Sequence, residues 1–371
     1  MENFRVWAEI NLERLRENYS IIRRSLPGAI AVMGVVKADG YGHGAVPISR
    51  FLGDLGIDAL GVGDSLEALE LRDAGIETPI YILGALAGAE LAPIVEYDII
   101  PTVHSYEVAG RLEQEAQRQR KLLQVNVIID TGMGRLGVKP GEAIGLITRI
   151  HESHHLHLEG ISTHFPSAGL GDLDFTGFQI SNFNRIIQEA EKKGIAIPSR
   201  HAASSAAIFS MTDSLFNMVR PGIALYGINP DNLDMAQLGL QPVLSLKSQI
   251  VFIKNVPGGT SIGYNRTYFT KRATKIATVP VGYNDGYRFA FSNRVDVLVR
   301  GRRRPQVGRV SMDYSMVDLG PDSNAEVGDE VVLIGESGSE QITIEELAGK
   351  AGTIPYEIST GLGKRVLRIY N

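Results

Sequence analysis

The chain contains no cysteine in 371 residues, which excludes disulfides, thiolate metal centres and a cysteine nucleophile, and fits a reducing, cytoplasmic setting. Long apolar runs are missing too. No uncharged stretch reaches the about eighteen apolar residues that a membrane span requires, and charges interrupt Met1–Ile10 where a secretory signal needs an apolar core. Neither a membrane partner nor a targeting segment is therefore expected. Nor is there an excess of positive charge: the net charge of −5 argues against a nucleic-acid partner. The glycines at 40, 42 and 44 lack the GxGxxG spacing of a dinucleotide fingerprint. No internal repeat or low-complexity segment stands out.

What is present is the composition of an ordinary soluble α/β enzyme, 44% hydrophobic and 21% charged with 41 glycines. The length suggests two domains, or one large barrel with an appendage. Through the first two thirds, short apolar cores alternate with amphipathic stretches, the pattern of βα units and a parallel sheet. Eight cores are readable: Ala29–Val36, Ala59–Gly63, Pro79–Gly84, Ile99–Val103, Leu122–Asp130, Leu158–His164, Ser199–Ala203 and Met218–Gly227. The clearest helix between them is expected from Phe175 to Lys193, with Phe175, Phe178, Phe183, Ile186, Ile187 and Ala190 on one face and Gly194 as its stop.

Eight such units in about 240 residues fit an N-terminal (β/α)8 barrel, an open doubly wound sheet being the alternative that periodicity leaves open. After about Gln241 the texture changes to β-rich runs, Val243–Val256, Lys275–Gly282, Arg294–Arg300 and Glu330–Ile334, separated by Gly/Pro/Asn/Asp turns. Residues 1–240 are thus expected to form the barrel and residues 241–371 a C-terminal, mainly β domain, with the junction near Pro230–Pro242.

The chemistry-bearing residues sit where these cores end. The first core runs into Val36-Lys37-Ala38-Asp39-Gly40-Tyr41-Gly42-His43-Gly44, which delivers a lysine to the face of a barrel where active sites lie. A lysine desolvated there loses its proton more easily and can act as a Schiff-base nucleophile. Asp130-Thr131-Gly132-Met133-Gly134-Arg135 follows the fifth core, Ser162-Thr163-His164 ends the sixth, His201-Ala202-Ala203-Ser204-Ser205 follows the seventh, and the eighth holds Met218-Val219-Arg220-Pro221-Gly222-Ile223. Polar groups at the same end of five strands are hard to explain as packing, and the last two strands are where barrels often bind phosphate.

These motifs, taken in order, resemble the alanine racemase family of pyridoxal-phosphate (PLP) enzymes. The likeness covers nearly the whole chain. It starts at Trp7-Ala8-Glu9-Ile10-Asn11-Leu12 and continues beyond the barrel with Gly263-Tyr264, Gly282-Tyr283-Asn284-Asp285-Gly286-Tyr287, Gly308-Arg309-Val310-Ser311-Met312-Asp313 and Tyr356-Glu357. The resemblance implies a homodimer in which each C-terminal domain completes its partner's active site. It assigns Lys37 to the covalent bond with PLP, and Tyr41, Ser205, Tyr356 and the amides of Gly222 and Ile223 to the phosphate. Arg220 would face the pyridine nitrogen, with His164 nearby. Arg135 and the Met312 amide would bind the substrate carboxylate, Tyr264 would be the second catalytic base, and Asp313 and Tyr283 would support the site. Racemisation needs a base on each face of a planar carbanion, which suits a Lys37/Tyr264 pair.

Three positions depart from the family pattern. Ile128, seven residues before Arg135, stands where many members carry a lysine that braces the arginine, so either another group orients Arg135 or the carboxylate site is looser. Ser311 and Ser204 are small polar exchanges. His151, His154, His155 and His157 read as a solvated turn, not a metal site, and Arg300, Arg302, Arg303 and Arg304 read as a hairpin around Gly301.

The expectation is a cytoplasmic racemase acting on a small amino acid, alanine, and supplying the D-enantiomer for peptidoglycan. Racemisation of serine or of a broader set is the nearest rival, opposed by the bulk of Tyr356. A PLP decarboxylase for basic amino acids and a non-catalytic PLP carrier are the others, and the C-terminal domain with Tyr264 counts against the carrier.

Overall fold

The computed structural model describes residues 4–169, 172–229 and 235–371. The junction expected near Pro230–Pro242 therefore lies partly outside the described residues. The chain divides into two compact units, one of Arg16–Leu225 with Asn229–Leu240 and the other of Met1–Leu15, Tyr226–Ile228 and Gln241–Asn371. The opening strand, β1 (Val6–Ile10), thus belongs with the C-terminal part of the chain.

The first unit is a parallel barrel. Its strands are β2 (Ala31–Val35), β3 (Ala59–Val62), β4 (Ile80–Ile82), β5 (Thr102–Val103), β6 (Leu123–Ile128), β7 (Leu156–Ser162), β8 (Ser199–Ser204) and β9 (Met218–Arg220). Each of the eight expected cores overlaps one, β7 starting two residues before its core and β8 ending one residue after its own. They follow one another around a ring, β4-β3-β2-β9-β8-β7-β6-β5. At the seam between β4 and β5, Tyr81 bridges to Ile100, with Ile82 N donating to Ile100 O and Ile100 N to Ile80 O at 2.9 Å each, so the ring nearly closes.

Two apolar layers hold it. Met33, Ala59, Tyr81, Ile100 and Met218, all from the strands or the seam, form a cluster without helix residues, which places them on the inner face. Outside, Val125, Val127 and Ile161 pack with Leu112, Leu146, Ile147 and Phe183 of the surrounding helices. Burial of this kind is worth about 1.5–3 kcal/mol for each large side chain. The helices start where short acceptors stand: Asp64, Ser105 and Asp172 accept the amides of Glu67, Val108 and Phe175, each worth about 1 kcal/mol.

The helix expected from Phe175 spans Leu173–Lys192 and ends on Gly194 at φ +73°. Its buried face holds Phe183, Ile186, Ile187 and Ala190 as expected, but Phe178 is exposed and stacks on Phe175. At 100° per residue Phe178 lies about 130° from the centre of the stripe, and Thr176, Gln179 and Ile180 fill the face instead.

The second unit is mainly β. Its further strands are β10 (Leu244–Gln249), β11 (Phe252–Val256), β12 (Ser261–Ile262), β13 (Tyr268–Phe269), β14 (Thr274–Val279), β15 (Asp296–Val299), β16 (Arg302–Val307), β17 (Ser315–Asp318), β18 (Glu330–Ser337), β19 (Glu340–Ile342) and β20 (Leu367–Tyr370). Nine strands run in the order β11-β14-β17-β16-β15-β18-β10-β1-β20, with β19 paired to β18 and a separate β12-β13 ribbon. The run read as Val243–Val256 is two strands, because Ile250 N donates to Asp329 O while Val251 N donates to Thr278 O, and the chain changes partners between them. The arginine run is a hairpin between β15 and β16, turned at Arg300 and Gly301, with Arg303 held by Glu340 and Glu346. No helix among the described residues is long and apolar enough to cross a membrane.

Candidate active site

Lys37 opens an unusual turn at the end of β2. Ala38, Asp39, Gly40 and Tyr41 all have left-handed backbone angles, φ +54°, +53°, +60° and +54°. Three are not glycine, and each costs about 1–2 kcal/mol in this conformation. The turn is pinned by Gly40 N donating to Val36 O (2.8 Å), Gly44 N to Asp39 O (2.8 Å), and Ala45 N to the Asp39 carboxylate (2.9 Å). Its result is that Lys37 stands only partly exposed at the barrel mouth while Tyr41, four residues on, is buried. The Tyr41 phenol lies against Gly222 at the end of the adjacent β9. A Cβ at position 222 would collide with the phenol oxygen, so any larger residue there would displace the Tyr41 ring.

Beside it, the Ser205 hydroxyl accepts the amides of Gly222 (2.9 Å) and Ala224 (3.2 Å), which ties the segment after β8 to the segment after β9. Ile223 is buried in the same loop.

Arg220, at the end of β9, is buried and held from all sides. It donates to Thr163 O (2.9 Å) and Ala202 O (3.0 Å), meets His201 Nδ1 at 2.8 Å, and reaches His164 Nδ1 at 3.3 Å. A guanidinium has no lone pair to offer, so the facing His201 nitrogen is an acceptor and the other, Nε2, donates to Asn126 Oδ1 at 3.0 Å. Asn126 in turn donates to Ser162. The sequence places His201 in the polar cluster of the seventh core but gives it no role, and Asn126 is not among those clusters. A polar residue inside the apolar strand Leu123–Ile128 was the available signal.

Three cationic groups, Lys37, Arg135 and Arg220, crowd the His164 imidazole here. Burial and then the charges of Arg135 and Arg220 lower the pKa of Lys37, with only Glu67 acting the other way. Burial, then Arg220, Arg135 and Lys37, push His164 down to about 3. Burial followed by Arg135 lowers Arg220 to about 10, still protonated at neutral pH. Such an assembly is poised for a ligand with several negative charges.

Arg135 is carried by a turn in which Asp130 accepts the amides of Gly132 and Gly134 at 3.0 Å each. Ile128 is buried and apolar, so it supplies no polar brace. The loop is tied instead through Thr131, whose hydroxyl meets Thr163 at 2.7 Å and accepts from Gln179, and Gln179 also donates to His164 O.

The remaining expected residues lie in the second unit. Tyr264 is 70% exposed, following Gly263 at φ +74°. Tyr283 N donates to Ser311 O and Asn284 N to Met312 O, which fixes the two loops together. Asp313 and the buried Asp285 share Arg365, at 2.6 Å and 2.5 Å. Tyr356 lies on the short helix Pro355–Thr360. Among the described residues, no group of three histidine or acidic side chains is arranged to hold a metal, and His155 meets Lys121 O instead.

The two depressed histidines carry a consequence for stability. Burial holds His201 neutral well below its usual range, followed by the Arg220 charge, and His164 is lowered as described. An unfolded histidine binds its proton near pH ~6.5, so their contribution is complete above that pH and is lost as pH falls toward about 3. The denaturation midpoint is expected to drop between about pH 7 and about pH 4, with a shallower slope in His201→Asn. Equal slopes in the two proteins would contradict this assignment.

A nearly closed parallel barrel, with a lysine just beyond its first strand and the segments after its last two strands tied together beside Tyr41, has the architecture of the barrel enzymes that carry PLP. The comparisons narrow it. The N-terminal alanine racemase domain model matches residues 10–230 and the C-terminal domain model residues 243–370. The alanine racemase of Halothermothrix orenii is 43% identical over 364 residues, 98% of this chain and 96% of that protein. The solved alanine racemase of Clostridium difficile 630 superposes with a TM-score of 0.95 at 37% identity, covering 100% of this chain and 97% of the other. That of Bartonella henselae, solved with covalently bound pyridoxal phosphate, gives a TM-score of 0.89 at 29% identity over 100% of both chains. The chain belongs to the alanine racemase family. It is a PLP-dependent isomerase of amino acids.

Proposed function

We propose that the chain interconverts L- and D-alanine by passing the α-proton between Lys37 Nζ on one face and the Tyr264 phenol of a second copy on the other. The observation that carries the reading is the cationic cluster around Lys37 at the strand ends, which suits a ligand bearing both a phosphate and a carboxylate. Bound PLP supplies the electron sink that makes the α-proton of the amino acid acidic.

The residues present fit that group. Gly222 leaves a cradle against the Tyr41 phenol that a Cβ would fill, and Ser205 borders it, so Tyr41, Ser205, Gly222, Ile223 and Tyr356 would hold the phosphate. Arg220, already engaged by four partners, would face the ring nitrogen. As a permanent cation it cannot hand that nitrogen a proton as an aspartic acid would, which moderates the sink and limits side reactions. His164 stays neutral beside it.

Arg135 would bind the carboxylate, joined by the Met312 amide of a second copy, with Tyr283 and Asp313 fixing the Met312 loop. A lowered pKa leaves a larger share of Lys37 unprotonated at neutral pH, as a nucleophile and base need. Tyr264, Tyr283, Phe289, Met312 and Tyr314 are all exposed large side chains of the second unit, which fits a homodimer that covers them. The cellular role consistent with this chemistry is cytoplasmic supply of D-alanine for peptidoglycan.

The test is incubation with PLP and L-alanine in deuterium oxide, following chirality and α-deuterium together, with L-serine and L-lysine in parallel. Inversion of alanine with α-deuteration, and little action on the others, is expected. Comparable turnover of serine would move the reading to a broad racemase, and absence of exchange on every substrate would leave a PLP carrier.

A further inference from the structure

We propose that Glu67 is a positioning residue for Lys37: its carboxylate bridges the left-handed lysine turn to the end of β3 and sets a negative charge beside an otherwise cationic cluster. Glu67 belongs to the first turn of the helix Ser65–Asp73, where its own amide is capped by Asp64 at 3.0 Å. A glutamate at that place commonly turns back to the amide of the capping residue. Here it reaches outward. One oxygen accepts the Ala38 amide at 2.6 Å and the other the Gly63 amide at 2.7 Å.

Ala38 is the residue immediately after Lys37 and the first of the four left-handed residues, so the carboxylate holds the turn at the point where strain begins. The packing is close. A Cβ at Gly63 would lie 3.2 Å from the Glu67 carboxylate and 3.7 Å from Lys37 Cβ, so the glycine, the carboxylate and the lysine stem stand side by side. Val36 N donating to Gly61 O at 2.8 Å completes the join between the strand ends. The charged groups acting on the Lys37 amine come from three elements, Glu67 from this helix, Arg135 from the loop after β6 and Arg220 from β9, and the titratable His164 after β7 stays neutral among them. Of these Glu67 alone is acidic, and it favours the protonated amine against the two arginines. Asp39, next in the turn, is occupied by the amide of Ala45.

The inference rests on Lys37 being the reacting amine, and the experiment separates the two. The full-length protein, before PLP is added, is labelled with an amine-reactive ester across a pH series, and Lys37 modification is read by peptide mass spectrometry. Racemisation kinetics and melting are measured on the PLP-loaded protein. Glu67→Gln removes the charge and turns an amide NH2 toward one of the two backbone donors. Its Lys37 labelling midpoint is expected to fall by roughly one unit, and kcat by about tenfold or more with little change in KM.

Glu67→Asp keeps the charge but is one methylene too short to bridge both amides. It should hold the labelling midpoint near that of the parent while kcat stays low. A purely architectural glutamate would lower melting in both variants and leave the midpoint unmoved, and that result would overturn the proposal. Should Glu67→Gln not fold, parent-like kcat in Glu67→Asp would overturn it as well. Undiminished racemisation in Lys37→Ala would instead remove the reading on which the proposal rests.

Discussion

Replacing Lys37 by alanine is expected to reduce racemisation by about 10⁴-fold without destabilising the protein, because the proposed mechanism makes one side chain both the covalent anchor and a proton carrier. The cradle of Tyr41, Ser205 and Gly222 that we propose for the phosphate, and the buried Arg220, are untouched, so the variant should still retain PLP, bound without a lysine bond. Folding should lose nothing. Lys37 adds a positive charge to a cluster in which His164 is already depressed by Arg220, Arg135 and Lys37 itself, so its removal relieves repulsion. The melting temperature of the PLP-free variant should equal or exceed that of the parent, the usual sign of a strained functional group. Racemisation assayed beside melting reads both effects. Retained activity would remove Lys37 from the chemistry, and a large drop in melting would show that the lysine serves the fold.

The barrel is legible because its strands lie in short apolar cores, five of which end in a polar cluster. In Ala31–Val35 and Met218–Arg220 the change of character coincides with the strand end, and the residue types there declare the active face. What sequence could not show depends on distant pairing. Val6–Ile10 has the texture of any strand, and nothing local says that it pairs with Leu244–Gln249 and Leu367–Tyr370 in place of a barrel neighbour. The same holds for Arg220: its residue type suggests a ligand contact, but the His201–Asn126–Ser162 chain behind it joins β6, β7, β8 and β9, and only the ring brings them together.

Position 128 shows the limit from the other side. Its isoleucine announced a missing brace for Arg135, yet the alternative tie lies in Thr131, Thr163 and Gln179, three residues of unremarkable type on three segments. Phe178 departs for a simpler reason: its size suggests core, but its angle on the helix puts it on the solvent side.

Tyr264→Phe is the second substitution with a large expected effect, and it tests both the proton chemistry and the assembly. It removes one oxygen from a ring that is 70% exposed on a turn backed by Gly308 and Arg309, so stability should change by less than about 0.5 kcal/mol. Racemisation should fall by about 10²–10⁴-fold. Lys37 still serves one face, so in deuterium oxide one enantiomer of alanine should exchange its α-proton with retention of configuration, while exchange of the other falls along with racemisation. Parent-like exchange and inversion of both would end the two-base reading.

Mixing then locates the base. If Tyr264 reaches the site of the partner copy, a dimer of one Lys37→Ala chain and one Tyr264→Phe chain contains one site with both side chains intact and one with neither. Coexpression at equal levels places about half of all dimers in that mixed state, and roughly a quarter of parental activity should return from two inactive proteins. No recovery, in a preparation shown to contain mixed dimers, would mean that Lys37 and Tyr264 serve the same site from one chain.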